Sequence, residues 1–494
     1  MSVEHFDVLI VGAGLSGIGA AYHFQSNCRN KTYAILEGRA AIGGTWDLFR
    51  YPGIRSDSDM YTLGYIFKPW REAKAIADGP SILSYVRQTA SENRIDQHIR
   101  FNHVVKRASW STPDACWTVE AECNEQVKRF TCHWLQLCSG YYKYKEGYMP
   151  DFPGRERFKG RFVHPQKWTP DIDYANKRVV VIGSGATAVT LVPELAKQAA
   201  QVTMLQRSPS YVASLPGIDR IANVMRAVLP ARLAYSFARW KNVLFGMMIY
   251  KLGRRYPQLM KKFIMRRVRK ELGDTQEVTT NFSPHYNPWE QRLCLVPDSD
   301  LFLAIKNGKA RVVTDTIETF TESGIALKSG KELPADLIVS ATGLVLEVLG
   351  GVLFSVDGRA IDLARTFNYK GMMFSDLPNM AYTFGYTNAS WTLKTDLTAN
   401  YACRLLNHMD AIGVRQCTPR NRDPSTPSTP FLDFSSGYIR RSMDRFPKQG
   451  ARTPWKLHQN YVRDLMALRF GKVDDGAMEF SNPIAAQEAP RLVS

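Results

Sequence analysis

With 494 residues the chain is long enough for two or three domains, each with a sizeable core. Hydrophobic residues at 45% and charged residues at 22% exclude global disorder, and no apolar run approaches the roughly 20 residues of a membrane span. The net charge of +18 is unevenly spread: residues 220–270 carry fourteen Lys and Arg and no acid.

The N-terminal MSVEHF leads straight into a strand-like run without a basic region and an apolar stretch, which argues against export and for a cytoplasmic protein. Residues 6–12 read as a buried strand, a helix follows to about Gln25, and a second strand spans Tyr33 to Leu36. Strand-like pieces at Trp117–Ala121 and Phe130–Cys138 suggest a meander inserted in a dinucleotide fold. A second β-α-β unit starts at Arg178–Gly183 and ends in the strand Gln201–Leu205. Residues 218–272 read as helical, with aromatic and aliphatic residues among the bases. Further strands are expected at Ala310–Val313 and Leu337–Ser340, a loop at Thr418–Pro430, and a loose tail over the last ten residues. The eight cysteines form no C-x-x-C pair and no metal-ligand spacing, so they read as buried thiols in a reducing compartment, and no metal is expected.

Two glycine fingerprints carry the chemistry. In the first, Gly12 permits a tight turn, Gly14 lets backbone approach a pyrophosphate, and Gly17 lets helix and strand pack closely. Glu37, at the end of the second strand, is placed to accept hydrogen bonds from a ribose diol. The second fingerprint is Gly183-Ser184-Gly185-Ala186-Thr187-Ala188. The strand after it ends at Arg207-Ser208, where a base favours the 2′-phosphate of NADPH over NADH; a solvated surface arginine is the alternative. Two dinucleotide sites in one chain imply hydride transfer between cofactors, most simply from NADPH to FAD. The expected fold is α/β with two Rossmann-like domains: residues 1–150 and 330–494 for FAD, 151–213 and 286–329 for NADPH, and a basic helical insertion over 214–285.

Between the fingerprints, Gly43-Gly44-Thr45-Trp46 runs on through Tyr51-Pro52-Gly53 to Asp57. Phe158, Gly160, His164 and Trp168 precede the second nucleotide fold, and Asn287–Leu293, Ala341-Thr342-Gly343 and Gly385–Trp391 follow it. On these motifs, which span almost the whole chain, the sequence resembles the Baeyer–Villiger monooxygenases of the flavin-containing monooxygenase superfamily, closest to their ethionamide-activating branch. One departure is Thr169, which pushes the usual linker proline to position 170.

The resemblance implies that Arg292 stabilises negative charge developing at the reacting centre and that Asp57 holds Arg292 in place. It implies FAD contacts at Ser16, Gly44, Thr45, Trp46, Asp57, Val105 and Gly343 as well as at the first fingerprint. It implies NADP contacts from Arg55, Ser56, His164 and Gln291 beside the second fingerprint, with His164 coupling cofactor binding to domain movement. Many relatives have lysine at the position of Gln291, so NADPH preference here rests on Arg207 and Ser208. The implied reaction transfers one atom of dioxygen to a lipophilic ketone, giving an ester or lactone, or to the sulfur of a sulfide or thioamide. Two other readings stand beside it: an N- or S-oxygenating flavin monooxygenase without ketone activity, and a catalytically silent, membrane-associated nucleotide-binding protein. The first usually ends the linker fingerprint in Tyr or Phe, where this chain has Trp168. A disulfide reductase lacks its cysteine pair here.

Residues 220–270 leave two readings open. They form either a cap that rests peripherally on the anionic inner face of the cell membrane, or a helical pair whose bases are simply solvated. No nucleic-acid motif accompanies the charge, and no nucleic-acid partner is expected.

Overall fold

The structure is a computed structural model describing residues 3–291, 293–423, 425–431 and 441–482. The Val/Ile-rich run at the N-terminus forms the strand Glu4–Val11, whose last four residues are buried. It pairs in parallel with Tyr33–Leu36 on one side and Gln126–Leu137 on the other. Ile99–Arg100 and Met380–Tyr382 extend this parallel layer at its two ends. The expected meander is present: Val104–Ser111, Cys116–Cys123 and Gln126–Leu137 are antiparallel neighbours, continued by Leu353–Val356 and Arg359–Ile361. Helix Trp391–Ile412 packs on the fingerprint helix Leu15–Asn27. Between helices and sheet lies a core that includes Trp134, Tyr65 and Tyr401.

The second sheet is parallel throughout, in the order Ala310–Thr314, Gln201–Gln206, Arg178–Ile182, Leu337–Ser340, Arg161–Val163. Its branched aliphatic residues are buried on both faces, as a sheet covered on both sides requires. Leu337–Ser340 pairs inside this sheet, so the second nucleotide fold runs past the expected boundary at residue 330. Helix Gln276–Phe282, expected in the insertion, also belongs to this fold: Val278 and Phe282 enter its core and the Asn281 carbonyl accepts from Gln206. The two folds are joined where Tyr142–Gly147 pairs antiparallel with Leu344–Leu346.

The basic segment divides into helices Arg220–Val228, Ala231–Arg255 and Pro257–Leu272. The breaks fall at Pro230 and Pro257, since proline cannot continue a helix but is tolerated at its start. The ends of the expected loop at 418–430 are paired, in strands Gln416–Pro419 and Ser428–Pro430. All eight cysteines are free thiols, seven buried and Cys116 half-buried. The last ten residues lie outside the described part. No helix among the described residues is long and apolar enough to cross a membrane.

Candidate active site

Each fingerprint lies at the carboxyl end of its sheet, where an open α/β fold binds ligands. Gly12 has φ +101°, and a Cβ there would stand 2.7 Å from the Cys138 carbonyl oxygen. A side chain on Gly17 would overlap the Gly12 carbonyl oxygen. Gly14 faces Gly44 so closely that a Cβ on Gly44 would reach the Gly14 Cα at 3.1 Å. Two bare backbones thus line a cradle that side chains would fill. The helix Leu15–Asn27 opens on it from Gly14 without a side-chain cap, which suits a pyrophosphate.

Glu37 is buried at the end of Tyr33–Leu36. Its Oε2 accepts the Ala13 N–H at 2.6 Å and its Oε1 the Arg39 N–H at 2.8 Å. Burial pushes this carboxyl above its usual range against the pull of both donors. A carboxylate has about four acceptor sites, so two remain for a diol. Ser16 accepts the Trp391 indole N–H at 2.7 Å, and Trp391 stacks on Tyr141. Val105 is buried, and Trp46 packs against the core from the short helix Thr45–Leu48.

Several groups here were invisible in the sequence reading. The buried Asp47 takes ion pairs from Arg39, from Arg50 at 3.2 Å and from Arg87 at 3.0 Å, which fastens the glycine loop. The Tyr144 hydroxyl lies against Gly44 and Thr45, and burial pushes it up to about 12.

The second cradle repeats the first. Gly183 has φ +135°, and a side chain on it would overlap the Ala341 carbonyl oxygen. Ser184 Oγ lies 2.8 Å from Ser210 Oγ, Gly185 faces open space, and Ala186 starts the helix Ala186–Leu195, whose Ala188 is buried. Arg207 and Ser208 are exposed just after the strand Gln201–Gln206, and Arg207 makes no ion pair among the described residues.

The segment Tyr51–Asp57 bridges the two folds. Tyr51, half-buried and with its hydroxyl pushed up to about 12 by desolvation, shares a hydrogen bond with Thr187 at the mouth of the second cradle. Gly53 has φ +74° and lies so near Glu194 that a Cβ would stand 2.9 Å from that side chain. Arg55 pairs with Asp300 of the second fold, and its Nη2 is buried with no partner among the described residues, a donor that a bound nucleotide would satisfy. Ser56 is buried, its N–H donating to Ala77 O at 3.0 Å. Asp57 is half-buried, and its charge helps raise Tyr51. Gln291 is half-buried and bridges to Pro288. Arg292 lies outside the described residues.

His164 sits at the crossing of the two linkers, not within the glycine turn of the second cradle. Its Nε2–H donates to Gly343 O at 3.0 Å while Nδ1 accepts the Gln166 N–H at 3.2 Å, which fixes the neutral ring. Burial holds its pKa below the ordinary 6.5. The unfolded chain therefore takes up the proton first as pH falls. The stability His164 gives is complete above about 6.5 and is lost as pH drops from there through the folded value. His164→Gln can still reach the Gly343 carbonyl but cannot titrate. The acid-side fall in melting temperature should be shallower in this variant than in the parent, and equal slopes would contradict the assignment.

A family model for flavin-binding monooxygenase-like proteins matches residues 76–349, and one for NAD(P)-binding Rossmann-like domains matches residues 10–73. The chain is 54% identical to the FAD-containing monooxygenase EthA of Mycobacterium tuberculosis over 97% of its own length and 98% of that protein's. The chain belongs to the flavin-binding monooxygenase-like family. Identity to EthA of Mycolicibacterium smegmatis is 53%, covering 98% and 99% of the two chains. Among solved structures, a steroid monooxygenase bound to NADP has a TM-score of 0.75 at 20% identity, covering 97% of this chain and 100% of that one. The cyclohexanone monooxygenase of Rhodococcus sp. Phi1 bound to NADP+ has a TM-score of 0.75 at 18% identity, with the same coverage, and shows the shared fold.

This family member is an NADPH-dependent flavoprotein monooxygenase with FAD and NADPH as cofactors, as expected. Its residues fit them. The first cradle, with Glu37 and the loop Gly43–Trp46, suits FAD; the second, with the exposed Arg207 and the spare nitrogen of Arg55, suits NADPH.

Proposed function

We propose that this monooxygenase converts lipophilic ketones to esters or lactones, and that it also oxygenates sulfides or thioamides. The observation that carries this reading is the linker fingerprint ending in Trp168, whose His164 ties both linkers together at Gly343. The fold shared with ketone-named monooxygenases supports it.

Bound FAD and NADPH supply reduction of dioxygen and transfer of one of its atoms; the chain supplies position and charge. Arg207 and Ser208 hold the 2′-phosphate of NADPH. Arg55 contributes a further contact, braced by Asp300. Arg292, oriented by Asp57, stabilises negative charge growing on the substrate carbonyl oxygen, where a permanently charged guanidinium in a dry site contributes most. Tyr51 and Gly53 keep the two folds in contact over the reacting groups. The enzyme works in the cytoplasm, seated peripherally against the membrane through residues 220–270.

Arg207→Ala should raise KM for NADPH roughly ten- to a hundredfold, the loss of a hydrogen bond to a charged group, and leave KM for NADH unchanged. Equal KM values for NADPH in variant and parent would contradict the phosphate assignment.

The proposal is tested by product analysis of the purified holoenzyme against long-chain ketones, aryl ketones and sulfides, with NADPH consumption recorded alongside. Ester formation matched to NADPH consumption is expected. Sulfoxide without any ester would favour the N- or S-oxygenating reading and overturn this one.

A further inference from the structure

An ordinary surface helix turns one apolar stripe inward; helix Ala231–Arg255 buries Ala238 and Val243 in the core and carries a second apolar stripe on its outer side. Its inner side is held by a polar anchor. The buried Arg239 donates to the carbonyls of Tyr61 at 3.0 Å and Gly64 at 2.7 Å and pairs with Asp396 at 3.4 Å. Tyr235 donates to the Tyr65 carbonyl at 3.0 Å. Its outer side carries Leu233, Phe237, Trp240, Leu244, Met248 and Leu252, all exposed, at spacings of three and four that place them in one stripe.

The flanking helices continue the pattern. Ile221, Val224 and Val228 are exposed on Arg220–Val228, and Leu259 and Phe263 on Pro257–Leu272. Among the described residues, fifteen of the twenty-five exposed large apolar side chains fall between Ile218 and Phe263. A surface assembled at random would not gather them there. Of the fourteen bases in residues 220–270, only Arg239 is buried.

Two ingredients are therefore interleaved on one set of helices: apolar side chains aimed outward, and a single sign of charge. A second copy of the chain is a poor partner, because a symmetric contact would set these bases against themselves. An anionic bilayer fits both ingredients, with acyl chains for the stripe and phosphate headgroups for the bases. We propose that this helical face docks on anionic lipid, the stripe Leu233–Leu252 entering the headgroup–acyl boundary and the surrounding bases binding lipid phosphates.

This rests on the peripheral placement proposed above and specifies its surface. The face also adjoins the segment Asn287–Gln291. Gln258 Nε2 donates to Asn287 Oδ1 at 3.3 Å, and the Trp289 ring lies over Gly253, so this segment is fastened to the docking helices. A lipophilic substrate dissolved in the bilayer would reach the enzyme on that side.

The test is flotation of the full-length holoenzyme with vesicles of phosphatidylcholine alone or mixed with phosphatidylglycerol, at low and high salt. Strong binding to the mixed vesicles, weakened by salt, is expected. Combined Lys251→Gln, Arg255→Gln, Lys262→Gln and Arg266→Gln should weaken it by about two to three orders of magnitude. Combined Phe237→Ser, Leu244→Ser and Met248→Ser should weaken binding to both kinds of vesicle by a similar factor. Both variants should keep the parent's flavin content and its turnover of a short, water-soluble ketone, which separates a docking defect from a folding defect. Binding to neither vesicle by the parent sinks peripheral placement itself. Binding that survives in both variants overturns this face as the site. Loss of ketone turnover in the parent bears on the oxygenation reading alone.

Discussion

Arg292→Ala should keep NADPH oxidation within a fewfold of the parent while cutting ester formation about a hundred- to a thousandfold. Hydride transfer needs the two cofactors side by side, and in the proposed arrangement the cradles at Gly12–Gly17 and Gly183–Ala188, with Tyr51 meeting Thr187 between them, would hold them without Arg292. Oxygen transfer to a carbonyl instead builds negative charge on the substrate oxygen, which in the role proposed for Arg292 its permanent positive charge would stabilise. Arg292→Lys should recover only part of the loss, because an ammonium offers a point charge in place of the planar fork. Simultaneous measurement of NADPH consumed and ester formed reads the result directly. Full ester yield from the alanine variant would remove Arg292 from the chemistry.

The second large effect concerns the anchor of the long helix. Arg239→Met should destabilise the protein by about 3–5 kcal/mol, the cost of leaving a buried charge without its partner. The charge in question is Asp396, which is buried, accepts the Ile66 N–H at 3.2 Å and lies 3.1 Å from the His23 ring. The Tyr61 and Gly64 carbonyls would lose their donor as well. Adding Asp396→Asn to Arg239→Met should restore part of the loss, since it removes the orphaned carboxylate. Denaturant titrations of the parent, the single and the double variant form the cycle. A single-variant loss under about 1 kcal/mol would mean that the pair is effectively solvated.

What could be read in the sequence was what is local. The strands Tyr33–Leu36 and Leu337–Ser340 fall where short Val/Ile/Leu runs stand between turns, and the first fold assembles as its strand–glycine–helix–strand–acid spacing requires. Glu37 lands against the first cradle because a fixed-length β-α-β unit brings it there. Groups joined across the fold left no such trace. Arg239 and Asp396 are 157 positions apart, and in the sequence Arg239 counted only as one more base of the charged segment. In the structure it does not contribute to the surface charge at all. Tyr51 meeting Thr187, Asp47 collecting three arginines, and Arg55 pairing with Asp300 each join residue types that are common and unmarked on their own. The basic segment could be read as helical and charged. Its apolar side chains divide between an inner side, shared with Arg239 and Tyr235, and an exposed outer stripe, a division that depends on which face packs inward and that composition does not mark.

The most direct test is turnover of a long-chain ketone by the purified yellow holoprotein under isotopically heavy dioxygen, with NADPH as the only reductant and the product analysed by mass spectrometry. One heavy oxygen atom in each ester molecule, formed one for one with NADPH consumed, is the expected result. A colourless protein that takes up no flavin, or an ester carrying no heavy oxygen, would contradict the reading of this chain as an oxygen-inserting flavoenzyme.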